Sequence, residues 1–227
     1  MNTQRLLRAS TLLAAIGSMS VARAELFDFE SAAVDALPQG WSVAMTHDGG
    51  QPRWIVVRSE EGGLVLAQTS DDSTSQRFPL AIRAPESIRN GKLAVRFKPV
   101  SGRVDQAAGL VWRYKDPNNY YVVRANALED NVVVYKVEGG NRVAISPIGR
   151  EGEYGQRRDV PSNEWHELGV EFNGARFSVS FDGMKLYEVE DTTFAEPGRV
   201  GLWTKADSVT QFDDFEVADD PIIEESK

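Results

Sequence analysis

Apolar and polar residues alternate in short runs along most of this chain. Residues 166–172 place Leu168, Val170 and Phe172 on one side and charged or small residues on the other. Residues 176–181 repeat the pattern after an Asn-Gly turn. A two-residue period is that of a strand with one buried face, and no stretch keeps a helical period beyond about two turns. The pattern therefore predicts an all-β protein.

Similar runs, bounded by turn residues, recur over the whole chain. Further predicted strands lie at 26–29, 54–57, 64–67, 80–83, 92–97, 142–145, 200–204 and 212–217. Residues 146–161 are rich in Gly, Arg, Glu and Pro without a period, which indicates a long surface loop. About a dozen short strands in one domain predict a two-sheet antiparallel jelly-roll sandwich.

Residues 109–137 predict a β-meander of three strands joined by two short polar turns. With turns at 117–120 and at Asp130-Asn131, Arg113 lies opposite Arg124, and Arg124 lies opposite Lys136. Like charges placed opposite each other cost about 0.2–1 kcal/mol per pair. A row of three cations therefore suggests an anionic or hydroxyl-rich partner.

The two faces of this meander differ in character. The bulkier face, predicted to be core, carries Leu110, Trp112, Tyr114, Tyr121, Val123, Val133, Tyr135 and Val137. The opposite face also holds Val111, Val122 and Val134, and its polar and aromatic members are hypothesised to line a saccharide groove: Arg113, Tyr120, Arg124, Asn126 and Lys136. Trp203 joins them as a candidate ligand contact because it follows Gly201. The alternative is a solvated face neutralised by neighbours such as Asp116 and Glu138.

Three segments carry a family resemblance. They read GLVWRYKDPNNYYVVRANALEDNVVVYKV, NEWHELGVEFNGARFSVSFDGMKLYEVED and GRVGLWTKADSVTQFDDFEV. They resemble the exported concanavalin A-like, laminin G-like domains grouped with the 3-keto-disaccharide hydrolase (DUF1080) family, over about residues 25–218. The resemblance implies a two-sheet jelly roll with a concave sheet that binds sugars. It does not fix activity, because such domains include lectins, glycan-binding modules and enzymes.

The ends of the chain predict an exported protein. Residues 1–24 combine Arg5 and Arg8, a short apolar run and an A-x-A ending, which is the pattern of a signal peptide. The domain would then span 25–218, followed by an acidic flexible tail at 219–227. Cleavage removes three arginines and no acid, so the formal charge falls from −9 to −12. With no cysteine in the chain, this favours a bacterial periplasmic or extracellular location, and the charge argues against nucleic acid as a partner.

Catalytic and metal-binding signals are weak. Glycoside hydrolysis needs two facing carboxylates, and the densest acidic cluster, Glu188, Glu190 and Asp191, is interpreted as a solvated strand end. Two histidines are too few for a histidine metal cage. Asp213 and Asp214, on the final strand beside the first, are the one candidate for a structural Ca²⁺, and no other cofactor is expected.

The sequence thus predicts an exported, non-catalytic module that binds a saccharide or an anionic polymer on one concave sheet face, with no membrane span in its mature part. One alternative is a glycoside hydrolase or lyase acting on 3-keto-disaccharides, which the resemblance implies. Another is an envelope assembly protein that uses an exposed sheet face. A pair of buried acids with shifted pKa values in a pocket would favour the enzyme.

Overall fold

The computed structural model describes residues 23–84 and 87–219, which form two eight-stranded antiparallel sheets with no helix among them. The predicted all-β jelly-roll sandwich is confirmed. The strands are β1 Arg23–Phe27, β2 Trp41–Thr46, β3 Trp54–Arg58, β4 Leu64–Gln68, β5 Phe78–Arg83, β6 Gly91–Ser101, β7 Ala107–Asp116, β8 Asn119–Asn126, β9 Asn131–Glu138, β10 Asn141–Ala144, β11 Gln156–Arg157, β12 His166–Asn173, β13 Arg176–Phe181, β14 Met184–Glu190, β15 Arg199–Trp203 and β16 Val209–Asp219.

The chain crosses repeatedly between the two sheets. The first sheet has the order β14-β13-β12-β6-β16-β4-β3, with β1 paired to β16. The second has the order β10-β9-β8-β7-β15-β5-β2, with β11 paired to β9. Consecutive strands β6 and β7 belong to different sheets, and so do β15 and β16. These crossings place one face of each sheet against the other, and the main core fills the space between them.

Aromatic rings from both sheets meet at the centre of this core. Trp112 of β7 stacks on Tyr121 of β8 with ring centroids 5.4 Å apart. From the first sheet, Phe172 and Phe177 contact the same indole at 6.1 and 5.2 Å. All four side chains are buried. Offset and edge contacts between aromatic rings add to the hydrophobic stabilisation of the sandwich.

The second sheet is also buried on the face that points away from the first sheet. A separate apolar cluster covers that face, formed by Phe78, Leu80, Ile82, Ala107, Val111, Tyr114, Tyr120, Val122, Val133, Tyr135, Val137 and Trp203. Burial on both faces explains why β8 and β9 read as nearly continuous apolar runs rather than as alternating ones.

Contacts between distant strands show that this sheet is strongly curled. β10 and β5 are five strand spacings apart, about 24 Å in a flat sheet, yet the Arg142 guanidinium lies 4.9 Å from the ring centroid of Phe78. One arginine side chain cannot span that gap. Beyond the end of β2, His47 Nε2 also donates a 2.8 Å hydrogen bond to the carbonyl of Gly140 in the β9–β10 turn. The cluster therefore lines the inside of the curl, which we call the concave face.

Two glycines lie where the sheet bends. A Cβ on Gly201 would collide with the carbonyl of Ala81 on β5. A Cβ on Gly109 would lie 2.9 Å from the carbonyl of Val123 and 3.3 Å from the Cβ of Trp203. Glycine in a strand commonly marks such a close approach at a tight bend. The two glycines let β7 and β15 follow the curl without a steric clash.

The predicted meander is present, but its predicted register is wrong. Gly109, not Arg113, lies opposite Arg124. The first turn is only Pro117-Asn118, and a bulge sets three residues of β7 against one of β8. Arg124 faces Val133 rather than Lys136, since the second turn spans residues 127–130. β9 is thus displaced along β8 by three residues relative to the prediction. Because three is an odd number, every β9 side chain lies on the face opposite to the predicted one.

The corrected register changes which side chains form the core. Val134 points into the main core, whereas Val133, Tyr135 and Val137 lie on the concave face. Tyr114 also changes face, because the bulge begins at Arg113, whose φ of 49° lies in the left-handed region. The row of three cations does not exist.

Most strands coincide with the sequence prediction. β2 was not predicted, because its short pattern directly follows the turn at Pro38–Gly40. The long loop predicted at 146–161 contains the short β11. Residues 1–22 of the predicted signal peptide and 220–227 of the predicted tail lie outside the described residues, whereas Arg23, Ala24 and Asp219 belong to β1 and β16. Within residues 23–84 and 87–219, no helix has the length and apolar character needed to cross a bilayer.

The central indole provides a test of the core. Substituting Trp112 with Ala removes contacts with three rings, so we expect a loss of about 3–5 kcal/mol in the free energy of unfolding. Denaturant-induced unfolding measures it. The exposed Met184→Ala is the control, with an expected change within about 0.5 kcal/mol. A loss below about 1 kcal/mol for Trp112→Ala would contradict this packing.

Candidate functional site

The middle of the concave face is an aromatic floor. Trp203 Nε1 donates to the Tyr120 hydroxyl at 3.3 Å, and that hydroxyl is 2.8 Å from Thr46 Oγ1 on β2. Phe78 lies beside Trp203 with centroids 5.4 Å apart. Burial raises the pKa of Tyr120, so its phenol stays protonated and serves as a hydrogen-bond hub rather than a base.

Arg142 of β10 crosses this floor. Its guanidinium lies 4.5 Å from the ring centroid of Tyr135, 4.9 Å from that of Phe78 and 5.7 Å from that of Trp203. Contacts of this kind hold a cation against aromatic faces. Among the described residues, no carboxylate lies within 4.0 Å of Arg142, and its buried Nη1 has no hydrogen-bond partner. The face therefore presents a guanidinium with unused donors.

A second guanidinium belongs to a fully paired cluster beside the β8–β9 turn. Arg124, 0% exposed, donates to both carboxylate oxygens of Glu129 at 3.2 and 2.9 Å and to Asn131 Oδ1 at 2.5 Å. Partial burial opposes ionisation of Glu129, but the hydrogen bonds and charge of Arg124 hold the pKa of that carboxyl below its ordinary value. Glu129 is therefore a carboxylate, and its side chain is 39% exposed.

Asn126 joins this cluster to a buried ion pair. Its Nδ2 donates to Asp105 Oδ1 at 2.6 Å and to Glu129 Oε1 at 3.2 Å. Asp105 also accepts a 2.5 Å bond from Lys205 Nζ. The two carboxylates thus share one amide donor, and each is neutralised by its own cation. The polar end of the concave face is therefore a hydrogen-bonded network that holds both acidic side chains in place.

Tyr154, in the loop before β11, forms the rim of the face. Its ring meets that of Tyr135 edge-on with centroids 5.9 Å apart, and the two hydroxyls are hydrogen-bonded. Tyr154 is 49% exposed, whereas Tyr135 is buried. An aromatic side chain that borders a polar, cationic floor is well placed to stack on the apolar face of a sugar ring.

The structure brings together four of the six predicted site residues. The concave face holds Tyr120, Arg124, Asn126 and Trp203, and all four side chains are buried. Trp203 donates to Tyr120, and Asn126 donates to Asp105. Sequence reasoning missed Arg142 and Glu129. Arg142 sits in a four-residue edge strand, and the spacing of Glu129 from Arg124 across a turn was the one signal available for that pair.

Arg113 lies elsewhere, contrary to the predicted groove. It is 1% exposed, and its guanidinium donates to three backbone carbonyls, those of Phe194, Arg89 and Gly174, at 2.7, 3.1 and 2.5 Å. The β7 bulge turns the side chain off the sheet face toward these loops. Arg113 therefore clamps three connecting segments of the fold.

Lys136 is also outside the concave face. It pairs with Tyr121 across the β8–β9 ladder, so it points toward the other sheet. Its ammonium lies 3.3 Å from Asp191 and donates to Thr193 Oγ1 at 2.8 Å. Tyr121 donates to the same carboxylate at 2.6 Å. The three-residue displacement of β9 accounts for this position.

The other acidic candidates are paired with cations. Glu188 lies 2.6 Å from Lys185 and Glu190 lies 3.5 Å from Arg176. Asp213 and Asp214 lie on β16, which pairs with β1 as expected. Their carboxylates are 3.7 and 3.2 Å from the guanidinium of Arg96. Among the described residues, no group of three or more His, Asp or Glu side chains is arranged to hold a metal ion.

Comparisons with known proteins agree with this architecture. A family model described as the 3-keto-alpha-glucoside-1,2-lyase-like domain matches residues 25–218. No curated protein matches the chain. The solved carbohydrate-binding module CBM66 from Bacillus subtilis is similar with a TM-score of 0.59 and 22% identity, covering 78% of this chain and 94% of that one.

Two further solved structures show the same sandwich. A xylan beta-1,4-xylosidase from Bacillus halodurans C-125 matches with a TM-score of 0.56 and 14% identity, over 86% of this chain but 39% of the enzyme. A protein of unknown function with a galectin-like fold from Bacillus subtilis matches with a TM-score of 0.51 and 13% identity, over 80% and 90% of the two chains. At these identities the likeness is one of fold.

The Arg124–Glu129 pair provides a test of the network. Substituting Glu129 with Ala leaves a buried guanidinium without its counter-charge, so we expect a loss of about 1–3 kcal/mol in unfolding free energy near neutral pH, moderated by the exposure of Glu129. A carboxyl whose pKa is lowered by folding stabilises at neutral pH, and that contribution is lost as the pH falls through its folded pKa. The difference between wild type and Glu129→Ala should shrink accordingly on acidification.

Unfolding curves recorded over a pH series measure this effect. Glu153→Ala is the matched control, because Glu153 pairs with Arg150 on the surface and is 56% exposed. It should change stability by less than about 0.5 kcal/mol at every pH. Equal losses for the two variants would contradict the network.

Proposed function

We propose that this chain, which belongs to the 3-keto-alpha-glucoside-1,2-lyase-like domain family, is an exported carbohydrate-binding domain. The observation that carries the proposal is the concave face, where an aromatic floor, a rim tyrosine and unused guanidinium donors occur together. Sugars are recognised by ring stacking and by hydrogen bonds to their hydroxyls. The carbohydrate-binding module from Bacillus subtilis, built on the same fold, supports the class of ligand.

The state of the acids favours binding over hydrolysis. A glycosidase needs one protonated carboxyl as proton donor opposite a second carboxylate. On the concave face, Glu129 has a lowered pKa and is held by Arg124, while Asp105 is paired with Lys205. The pKa of Asp213 is raised by burial and by Asp214, but Asp213 lies on the first sheet beside Arg96. The described part of the concave face thus offers no evident acid catalyst.

A lyase is the second candidate, and family membership favours it. Elimination from a 3-keto sugar begins with removal of a proton next to the carbonyl, which requires a base rather than an acid. Glu129 is ionised and partly exposed on the concave face, so it is the residue to test for that role. Both candidates use the same face and differ in whether the bound sugar is converted.

Glycan-array binding with a rim variant tests the proposal. We expect the purified protein to be retained by at least one class of oligosaccharide, and Tyr154→Ala to bind it about three- to tenfold more weakly because the stacking ring is lost. Trp165→Ala is the control, since that indole stacks on Arg96 beside the other sheet. Absence of retention on every saccharide class would refute the proposed function.

Turnover distinguishes the two candidates. The protein is incubated with 3-keto-disaccharides, and products are scored by mass spectrometry. Binding without product supports the non-catalytic domain. Glu129→Gln keeps one acceptor oxygen for Arg124 but cannot accept the proton. Product that disappears in this variant, while thermal melting shows that it is folded, would establish the lyase instead.

Export makes a separate prediction. Cleavage after Ala24 leaves Glu25–Phe27 of β1 still paired with residues 215–217 of β16, so the processed domain retains the β1–β16 contact. We expect N-terminal sequencing of the protein from a bacterial periplasm or medium to begin at Glu25. A chain that keeps its first residues and stays in the cytoplasm would contradict export.

A further inference from the structure

Arg142 is a cation that the described part of the fold holds in place but does not neutralise. Three aromatic rings lie within 5.7 Å of its guanidinium carbon. Its Nη1 is buried and has no hydrogen-bond partner among the described residues. A buried donor without an acceptor destabilises the fold. Arg142 as a whole is only half-buried, so the rest of its guanidinium can meet an acceptor supplied from outside the chain.

Two of the other cations on this face are already paired with acids. Arg124 is bonded to Glu129, and Lys205 is bonded to Asp105, so these two pairs contribute no net charge. Arg199 lies 4.9 Å from the ring centroid of Tyr114 and, like Arg142, has no carboxylate within 4.0 Å among the described residues. The concave face is therefore cationic, while the chain as a whole carries a formal charge of −9.

We infer that the ligand of the concave face is an acidic saccharide bearing a carboxylate, and that Arg142 binds this carboxylate. The inference rests on the proposed function and adds the class of sugar. A guanidinium presents parallel donors that match the two oxygens of a carboxylate. Because the rings already hold the guanidinium, less side-chain freedom is lost when the ligand binds. A neutral sugar would leave the charge uncompensated.

Matched acid and ester ligands test the inference. Calorimetric titrations compare galacturonate oligomers with their methyl esters, and mannuronate oligomers with theirs, each pair having the same sugar rings and length. We expect the purified protein to bind the free acid of at least one pair about tenfold or more tightly than the ester. The preference should fall with added salt, since it depends on charge.

Charge variants assign the preference to one residue. Arg142→Gln should bind the acid and the ester alike, whereas Arg142→Lys, which keeps the charge without the fork, should retain part of the preference. Arg176→Gln is the matched control, because Arg176 is 61% exposed on β13 of the first sheet. It should behave as wild type. Circular dichroism and thermal melting confirm that each variant is folded.

The outcomes separate this inference from the proposed function. Binding of neutral oligosaccharides with no preference for any acid over its ester overturns the inference and leaves carbohydrate binding standing. An acid preference that persists in Arg142→Gln overturns the assignment of Arg142. Failure to bind any saccharide, acidic or neutral, overturns the proposed function and this inference with it.

Discussion

The curl of the second sheet is the constraint on which the candidate site depends. In a flat sheet, Arg142 on β10 and Phe78 on β5 would be separated by about 24 Å, and each would belong to a different surface. The His47–Gly140 hydrogen bond and the close packing around Gly109 and Gly201 bring the two edges together. One guanidinium can then contact rings from three strands. The fold thereby converts an ordinary sheet surface into a concave, cationic and aromatic one.

The sequence predicts the architecture well because alternation is a local signal. β12 and β13 follow it residue by residue, since each has one face on the core and one in solvent. β8 and β9 do not, because both of their faces are buried, and there the apolar pattern cannot distinguish one register from the next. The turns predicted at 117–120 and 130–131 lie at 117–118 and 127–130 in the structure, and the predicted row of cations depended on the wrong turn lengths.

The candidate site was predictable only in part, for the same reason. Tyr120, Arg124 and Asn126 alternate along one strand, so their shared face follows from the two-residue period. Arg142 joins them through the curl, which is a property of the whole sheet. Arg113 leaves them through a bulge that depends on a single left-handed residue. Neither the curl nor the bulge has a signature in the hydrophobic pattern of the strand concerned.

The network beside the β8–β9 turn links the stability of the face to its chemistry. Arg124 is buried, and loss of the counter-charge of a buried ion pair is strongly destabilising, so an ionised Glu129 stabilises the turn. That requirement removes Glu129 as a proton donor while leaving it available as an acceptor for sugar hydroxyls, or as a base. Arg142 is held by aromatic rings instead of by an acid, so its charge is not neutralised by a carboxylate of the described residues. Within the described face, the paired Arg124 thus maintains the shape of the site, and Arg142 remains available to a ligand.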